Sequence, residues 1–400
     1  MIGIKRDITD KLILDLETAE ILLLVGARQS GKTTILRQVQ EFLLSKGFQT
    51  FFINLEDPTY LDLLNQHPRN LFKIFPMDLQ TKSFIIIDEI QYLANPTNFL
   101  KYIYDEYEGK IKLLVSGSSA FYIDRKFKDS LAGRKKIFEV RTLSFLEFLR
   151  FKNRDDLKSP LLSISQKEEI RILYDEYLTW GGFPRVVLSG IPEKQNILQE
   201  LAYSYVKKDI YESGIRQDEA VYKLLKILAG QIGGLVNINE LSRTLGLSKT
   251  AIDNYLYIMQ KSFHLVLLRP FYRNVRKELT KMPKVYFCDL GLRNFFFGDF
   301  SLPSSRRDLG NLIENAVFRQ LLDQYQDIDK IKFWRTPQKN EVDFILNGKY
   351  AFEVKTSVTG FNPSKYRLFN KLYPDIKIDL VVYKKPIDSQ ALEPYEIKAA

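Results

Sequence analysis

Two groups of residues with the chemistry to handle phosphate lie near opposite ends of this 400-residue chain. The first is Gly26 to Thr34, where glycines, a lysine and hydroxyl side chains follow one another at the spacing of a phosphate-binding loop. The second is Asp343 with Glu353 and Lys355, two acids and a lysine that suit a divalent metal ion beside a phosphodiester. The first group predicts nucleotide binding, and the second predicts contact with nucleic acid and its cleavage.

The first group lies between a strand and a helix. Ile21 to Val25 is an unbroken apolar run, typical of a buried parallel strand, and Thr33 to Leu44 has apolar residues near helical spacing. The loop therefore ends at a helix N-terminus, where free N–H groups favour phosphate. Lys32 is expected to reach the β- and γ-phosphates of ATP, and Thr33 to ligate Mg²⁺. The predicted ATP-binding residues of the loop are Gly26, Ala27, Arg28, Gln29, Ser30, Gly31, Lys32, Thr33 and Thr34.

Two later strands supply the other groups that ATP hydrolysis needs. Ser83 to Glu89 predicts a second buried strand that ends in two acids. Asp88 is expected to hold Mg²⁺, and Glu89 to polarise the attacking water as a general base. A third strand ends in Ser116 to Ser119, and Ser118 is expected to sense the γ-phosphate from there.

Two further segments each have two interpretations. Arg134 lies in a loop after the third strand. Either it acts as a catalytic finger on the nucleotide of a neighbouring subunit, or it is a surface residue of this loop without a catalytic role. Gly181 to Arg185 interrupts a helical region. Either Pro184 contacts adenine and Arg185 reads the nucleotide from a lid, or a glycine cap simply ends the helix before the proline.

Four segments together resemble the AAA+/STAND-related ATPases of bacteria and archaea: Gly26 to Thr34, Ile85 to Glu89, Ser116 to Ser119 and Gly181 to Pro184. Their order is similar to that of AAA+-superfamily ATPases with a C-terminal region of unknown function that has a restriction-endonuclease-like core. The resemblance covers essentially the whole chain. It implies an ATPase that uses ATP and Mg²⁺, and it indicates the fold more than the biological role.

The middle of the chain has the layout of a helix-turn-helix. Asn237 can cap a helix that ends at Leu245 and Gly246, and Ser248 can cap the next helix. The second helix is predicted to have an outward face that would contact a DNA groove. This face is formed by Lys249, Thr250, Asp253 and Asn254. Its inward face is predicted to contain Ile252, Leu256 and Met259.

A basic segment follows and is expected to form the wing of a winged helix. This segment contains seven cations and a single acid, Glu278. The cations are Lys261, Arg269, Arg273, Arg276, Lys277, Lys281 and Lys284. One interpretation is that the winged helix and its wing bind DNA. The other is that the winged helix packs as a switch element of a nucleotide-binding protein and touches no DNA.

The C-terminal segment predicts a helix that carries Glu314, then a strand, then a hairpin about Asn347-Gly348. A helix glutamate followed by an aspartate and Glu-x-Lys resembles the PD-(D/E)XK phosphodiesterase core. The resemblance implies that Glu314, Asp343 and Glu353 bind Mg²⁺ and that Lys355 orients or activates the attacking water. Glu341 is expected to face away from this site.

The register of the hairpin tests this interpretation. A strict two-residue turn places Asp343 opposite Phe352, which leaves Asp343 and Glu353 on opposite faces of the sheet. A three-residue loop over 347–349, or a bulge, places Asp343 directly across from Glu353. We expect one of these two arrangements, because a shared metal ion requires it.

Composition favours a cytoplasmic multidomain protein. A formal charge of +10 and a pI near 9.2 favour an anionic partner such as DNA. The single cysteine excludes an internal disulfide, and no apolar run predicts a membrane span. The predicted fold class is α/β. Its domains are a P-loop AAA+-like ATPase core (1–155), a helical lid (156–215), a winged-helix domain (216–284) and a restriction-endonuclease-like α/β/α domain (285–400).

Three functional hypotheses follow. The leading one is an ATPase whose nucleotide state controls a C-terminal domain that engages nucleic acid and cleaves it with Mg²⁺. The second is a STAND-like switch, in which ATP exchange rearranges the winged helix and an idle tail recruits a protein or DNA. The third is a homo-oligomeric ring motor, in which Arg134 acts across a subunit boundary.

Overall fold

The computed structural model describes residues 3–398 apart from 118–130, 160, 206–217, 273–277, 279–280, 326 and 387. The chain forms two compact units. The first contains the chain up to Thr142 and two short later segments, and the second contains most of the chain from Leu143 onward. Among the described residues, none of the helices combines the length and the apolar character that a membrane span requires.

The first unit is built on a parallel sheet. Five strands are described, in the spatial order β2-β3-β4-β1-β5. Every residue of the central strands is buried, as unbroken apolar runs predict for a sheet covered on both faces. The strands are β1 (Ile21–Val25), β2 (Gln49–Asn54), β3 (Ser83–Asp88), β4 (Ile111–Gly117) and β5 (Lys135–Glu139).

Helices cover both faces of this sheet. Leu22 and Leu24 pack in one apolar cluster with Leu36 of α2, whereas Leu23 and Val25 belong to a second cluster on the other face. This alternation with period two is what a strand buried on both sides requires. The helices are α1 (Asp7–Leu14), α2 (Lys32–Ser45), α3 (Pro58–Gln66), α4 (Leu71–Ile74) and α5 (Pro96–Glu106).

The second unit begins with helices. Ser144 and Ser163 each form a capping box, with Glu147 and Gln166, at the first two helix starts. The helices of this segment are α6 (Phe145–Phe151), α7 (Ile164–Trp180), α8 (Pro184–Leu188) and α9 (Ile191–Ser204).

The helix-turn-helix layout is confirmed. The helices are α10 (Asp218–Gly230), α11 (Ile238–Leu245) and α12 (Lys249–Lys261). Asn237 accepts hydrogen bonds from two backbone N–H groups of α11, and Gly246 ends that helix at φ 65°. An antiparallel pair follows, β6 (Leu265–Leu268) with β7 (Lys284–Phe287).

The two faces of α12 are also as predicted. The residues predicted to face outward are exposed, namely Lys249, Thr250, Asp253 and Asn254. The residues predicted to face inward are buried, namely Ile252, Leu256 and Met259. Arg273, Arg276 and Lys277, expected in a basic wing, lie outside the described residues. Lys284, expected with them, is buried in β7 at 1% exposure, so its inclusion in a solvated wing was wrong.

The C-terminal part carries a mixed sheet in the order β11-β10-β9-β8 among the described strands. The strands are β8 (Ile331–Arg335), β9 (Glu341–Leu346), β10 (Tyr350–Lys355) and β11 (Ile378–Val382). α13 (Leu290–Phe297) and α14 (Leu309–Tyr325) precede the sheet, α14 packs on β10, and α15 (Arg367–Leu372) lies between β10 and β11 along the chain.

Candidate nucleotide site and C-terminal acidic cluster

The phosphate-binding loop connects the end of β1 to the start of α2. Gln29 and Gly31 both have positive φ, 57° and 100°, which shapes the loop at the helix N-terminus. Gly26 has a different role, because a β-carbon at this position would lie 2.1 Å from the carbonyl oxygen of Val140. Gly26 therefore lets the backbone after β5 pack closely against the loop, and this packing alone requires a glycine.

Lys32 is buried, and its Nζ donates hydrogen bonds to the carbonyl oxygens of Gly26 (3.0 Å) and Ala27 (2.9 Å). The ammonium group therefore lies over the loop itself. Arg28 is half-buried, and Gln29, Thr33 and Thr34 are exposed.

The predicted magnesium ligands contact each other. The Thr33 hydroxyl donates to Asp88 Oδ2 at 2.6 Å, and the Ser116 hydroxyl donates to the other carboxylate oxygen, Oδ1. Parallel pairing of β1, β3 and β4 produces this convergence, because Leu24 is level with Ser116 and Ile87 with Val115. The carboxyl ends of the three strands thus meet beside the loop.

Glu89 adopts a left-handed conformation with φ 60° directly after β3. Its backbone N–H donates to Ser116 Oγ at 3.1 Å, and its carboxylate accepts from the side-chain amide of Gln91. Non-glycine residues seldom occupy this region, and such strain concentrates at functional sites. Ser116 therefore joins Asp88 and Glu89 in one hydrogen-bonded group.

The loop fits a nucleotide in one further respect. Ser30 Oγ is buried and lacks a hydrogen-bond partner among the described residues. Buried hydroxyl groups are rarely unsatisfied in folded proteins, so this atom is an available acceptor or donor for a bound group. Thr33 and Asp88 together offer the hydroxyl and carboxylate oxygens that suit Mg²⁺.

Arg6 supports the loop, and sequence reasoning missed it. Its guanidinium donates to the carbonyl oxygens of Ser30 (2.8 Å) and Arg141 (2.9 Å), and the residue is only 5% exposed. Nothing in the local sequence marks Arg6, because its partners lie far along the chain. Ser118, the predicted γ-phosphate sensor, lies outside the described residues.

Arg134 lies at the opposite end of β1 from the loop. Its carbonyl oxygen accepts from the N–H of Ile21, the first residue of β1, whereas the loop follows the last residue of that strand. The five residues of β1 separate its two ends by about 16 Å. Arg134 Nε forms an ion pair with Asp105 Oδ1 at 2.8 Å. A contact with the nucleotide of its own loop is therefore excluded by distance.

The glycine pair at 181–182 is explained by packing within the second unit. Gly181 ends α7, and Pro184 begins α8, as the helix-cap interpretation predicts. A β-carbon on Gly181 would lie 2.3 Å from Asp289 Oδ1, and one on Gly182 would lie 2.4 Å from the carbonyl oxygen of Leu143. Arg185 forms an exposed ion pair with Glu200 at 2.7 Å.

The hairpin between β9 and β10 has the predicted three-residue loop. Leu346 pairs with Tyr350 and Phe344 with Phe352, so the register places Asp343 across from Glu353. Asn347 and Gly348 have φ values of 52° and 64°, as the turn requires. Asp343 Oδ2 accepts a hydrogen bond from the N–H of Val354 at 2.8 Å. The two acids therefore share one face of the sheet.

Four carboxylates, from Glu314, Glu341, Asp343 and Glu353, form what we call the acidic cluster. Lys284 Nζ lies among them, 2.9 Å from Glu314 Oε1, 2.5 Å from Glu341 Oε1 and 3.8 Å from Asp343 Oδ1. The expectation that Glu341 faces away is wrong, because residues two apart on a strand share a face and Glu341 therefore lies beside Asp343. Glu314, expected to complete a metal site, is instead paired with an ammonium group.

Neighbouring groups hold the acidic cluster in place. Tyr286 donates to Glu314 Oε1 at 2.5 Å, Arg335 pairs with Glu341 Oε2 at 2.5 Å, and Lys355 Nζ contacts Glu353 Oε1. Among the described residues, no group of three or more His, Cys, Asp or Glu side chains is arranged to hold a metal ion. Sequence reasoning missed Lys284 and Tyr286 as members of this site.

Burial and like charge determine the ionisation of the cluster. Burial, reinforced by the charges of Glu314 and Glu353, raises the pKa of Asp343, and burial likewise raises the pKa of Glu353. Burial lowers the pKa of Lys284, but the surrounding carboxylates outweigh it, so the pKa lies above its ordinary value. Lys284 is therefore charged at neutral pH.

Three family models match this chain, one after another. An AAA domain matches residues 18–149, a domain of unknown function (DUF8612) matches 171–302, and a second domain of unknown function (DUF4143) matches 309–396. The relatives include an uncharacterized protein of Methanocaldococcus jannaschii, 28% identical over 95% of this chain and 84% of its own length. An uncharacterized protein of Haemophilus influenzae is 27% identical over 88% of this chain and 87% of its own length.

Solved structures show a partial likeness. The RuvB Holliday junction branch migration motor of Thermotoga maritima is 16% identical, with 70% of this chain and 95% of that chain covered and a TM-score of 0.34. AMPPCP-bound DnaA of Aquifex aeolicus is 13% identical, with 64% and 86% covered and a TM-score of 0.30. Such low scores carry no weight for function. By contrast, the match of residues 18–149 to an AAA domain agrees with the phosphate-binding loop on β1 and the parallel sheet around it.

Proposed function

We propose that this chain is an ATP-binding and ATP-hydrolysing enzyme whose nucleotide state controls its C-terminal domain. One observation carries the ATPase proposal: Thr33, Asp88, Ser116 and Glu89 form one hydrogen-bonded group beside the phosphate-binding loop. A chance match to the loop pattern gives no reason for acids and hydroxyls from two other strands to converge on it.

Lys32 of the loop and each residue of this group have a role in the proposed reaction. Lys32 exchanges its hydrogen bonds to the loop carbonyls for bonds to the β- and γ-phosphate oxygens. Thr33 and Asp88 would hold Mg²⁺, which neutralises charge on the phosphates when it is bound. Glu89 orients the attacking water and accepts its proton. Ser116 fixes the positions of Asp88 and Glu89 by bonding to both.

The test separates binding from hydrolysis. Lys32→Ala is expected to lose ATP binding, because it removes the cation that contacts the phosphates. Glu89→Gln is expected to keep ATP binding and to lose roughly 10²-fold or more in kcat, because general bases contribute that much. Steady-state ATPase assays and binding of a fluorescent ATP analogue provide the two readouts.

Glu106→Gln is the matched control, since Glu106 is an exposed acid at the end of α5. It should hydrolyse ATP at the wild-type rate. An unchanged kcat in Glu89→Gln would remove Glu89 from the mechanism, and full ATP binding by Lys32→Ala would contradict the nucleotide site itself.

The partner of the second unit is proposed to be DNA. The exposed residues of α12 are Lys249, Thr250, Asp253 and Asn254 together with Tyr257, a largely polar set that suits a groove better than an apolar packed interface. The charge of +10 adds attraction for a polyanion. The alternative is a STAND-like switch, in which α12 contacts another protein or a part of this chain.

Binding of fluorescent duplex DNA, measured with ATP and without it, distinguishes the two. Lys249→Glu should weaken DNA binding and reduce its salt dependence, because one phosphate contact becomes a repulsion. Lys377→Glu is the control, since Lys377 is an exposed lysine before β11. Equal DNA affinity for wild type and Lys249→Glu would favour the switch.

A second candidate activity is Mg²⁺-dependent cleavage of nucleic acid by the C-terminal domain, with Asp343, Glu353 and Lys355 as its site. The register that places the two acids face to face favours it. The ammonium group of Lys284 within the same cluster opposes it.

A further inference from the structure

The acidic cluster already contains a cation supplied by the chain. Lys284 is 1% exposed, which is rare for lysine, and buried ammonium groups are stable only when they are paired. Its Nζ lies within 4 Å of three carboxylates from two elements, Glu314 on α14 and Glu341 and Asp343 on β9. A single ammonium group thus connects the helix to the sheet at the point where a PD-(D/E)XK-like core implies a divalent ion.

The carboxylates are also occupied by other donors. Glu314 Oε1 accepts from Tyr286 as well as from Lys284, and Glu341 Oε2 is paired with Arg335. Asp343 Oδ2 accepts from the backbone N–H of Val354. Mg²⁺ needs near-octahedral oxygen ligands at about 2.1 Å, and these donors compete for the same oxygens. The residues present therefore do not fit a divalent ion shared by Glu314 and Asp343.

Glu353 is the fourth acid of the cluster. Its side chain is 6% exposed, and its carboxylate interacts with Lys355 and with the hydroxyl of Tyr366. Asp343 lies across from Glu353 in the hairpin register. If the Lys284 ammonium were removed, Glu314 and Asp343 would lose the cation that balances their charge, and a divalent ion that entered the cluster would replace it.

We propose that the Lys284 ammonium is the permanent cation of the acidic cluster and takes the place of a divalent ion at Glu314 and Asp343. The C-terminal domain then engages its partner without cutting it. The same proposal predicts that substitution of Lys284 alone allows a divalent ion to bind at these carboxylates. It concerns metal binding in the second unit and stands or falls independently of ATP hydrolysis.

The first experiment uses the whole chain with intact Lys284. Mn²⁺ is titrated in the absence of nucleotide, and binding is followed by electron paramagnetic resonance of the free ion and by the thermal midpoint. Wild type, Glu314→Gln and Asp343→Asn are expected to give the same Mn²⁺ binding curve. A loss of Mn²⁺ binding in both variants relative to wild type would overturn the proposal, because it would show a working metal site beside Lys284.

The second experiment opens the site. Lys284→Gln is expected to gain Mn²⁺ binding and a Mn²⁺-dependent rise in the thermal midpoint, and Lys284→Gln with Glu314→Gln is expected to lose both again. The control is Lys332→Gln, which removes a lysine of the same sheet that pairs with Glu278 outside the cluster. It should show neither effect. A folded Lys284→Gln variant that gains no Mn²⁺ binding would contradict the proposal.

If Lys284→Gln does not fold without metal, the titrations of the three chains with intact Lys284 decide the question alone. Cleavage of linear, branched and single-stranded DNA with Mn²⁺ is then measured for wild type and Asp343→Asn. The proposal expects no cleavage by either chain. Cleavage by wild type that disappears in Asp343→Asn would establish a nuclease and overturn the permanent cation.

Discussion

Arg6 shows how much of a phosphate-binding loop can depend on a residue outside it. Its guanidinium holds the carbonyl oxygens of Ser30 and Arg141, so it ties the loop to the segment after β5. Hydrogen bonds from a charged donor contribute about 1.5 to 3 kcal/mol each when they are buried. The loop geometry therefore depends on a buried side chain that lies 20 residues before the loop in the sequence.

Replacing Arg6 by alanine is expected to raise the KM for ATP with a smaller change in kcat, because the loop loses its support and Glu89 remains in place. The measurement is a steady-state ATPase titration. Lys135→Ala is the control, since it removes a cation at the start of β5, level with Ile21 at the end of β1 away from the loop. A wild-type KM for Arg6→Ala would show that the loop holds its shape without this support.

Gly26→Ala is expected to destabilise the first unit by about 1 to 3 kcal/mol or more, the usual cost of forcing atoms into a packed site. The added β-carbon would lie 2.1 Å from a backbone oxygen, which cannot move aside as a flexible side chain can. Urea denaturation measures the effect.

Gly310→Ala is the matched control. A β-carbon there would lie 3.8 Å from its nearest neighbour, and alanine favours the helix α14 by about 1 kcal/mol. If Gly26→Ala were as stable as Gly310→Ala, the close contact with Val140 would not be a real constraint.

Among the elements, the hairpin of β9 and β10 was the most predictable. Alternating apolar residues located both strands, and the need for two acids to share a face predicted a three-residue loop or a bulge, of which the structure has the loop. The helix α12 was equally predictable, because a 3.6-residue period separated its buried and exposed residues. Local patterns are sufficient when an element's neighbours lie close along the chain.

Deleting Lys349 tests the register. The loop would shorten to a two-residue Asn-Gly turn, and the buried face of β10 would turn to the opposite side. We expect loss of cooperative unfolding in the C-terminal part of the chain, measured by hydrogen exchange of its backbone amides. Deletion of Lys339, in the connection before β9, is the control and should be milder. Native protection in the Lys349 deletion would mean that the register does not depend on loop length.

At the scale of the whole molecule, sequence reasoning identified the nucleotide-binding fold but not the pairings between distant segments. Lys284 was grouped with a basic wing because neighbouring charges were counted along the chain, whereas its partners lie on α14 and β9. Likewise, the sequence left Gly181 and Gly182 open to a nucleotide lid or a helix cap, whereas packing against Asp289 and Leu143 explains both glycines. Long-range packing of this kind leaves no local pattern in a single sequence.

Arg134 gives the prediction that belongs to the assembly. It lies about 16 Å from the loop of its own chain, so a catalytic role requires a second copy. If it acts there, Arg134→Ala should keep ATP binding and lose hydrolysis, and equal mixtures with Lys32→Ala should recover part of the activity. Asp105→Ala, which removes only the ion-pair partner, is the control. Hydrolysis at the wild-type rate by Arg134→Ala would show that Arg134 is a surface residue without a role in catalysis.

The left-handed backbone of Glu89 has a consequence for the stability of the first unit. A glycine at that position would relieve about 1 kcal/mol of strain, so Glu89→Gly should unfold at a higher urea concentration than Glu89→Gln while remaining inactive. Selection for stability alone would therefore drive the chain toward an inert nucleotide binder. If Glu89 is the general base proposed above, its strained backbone is a stability cost of that role.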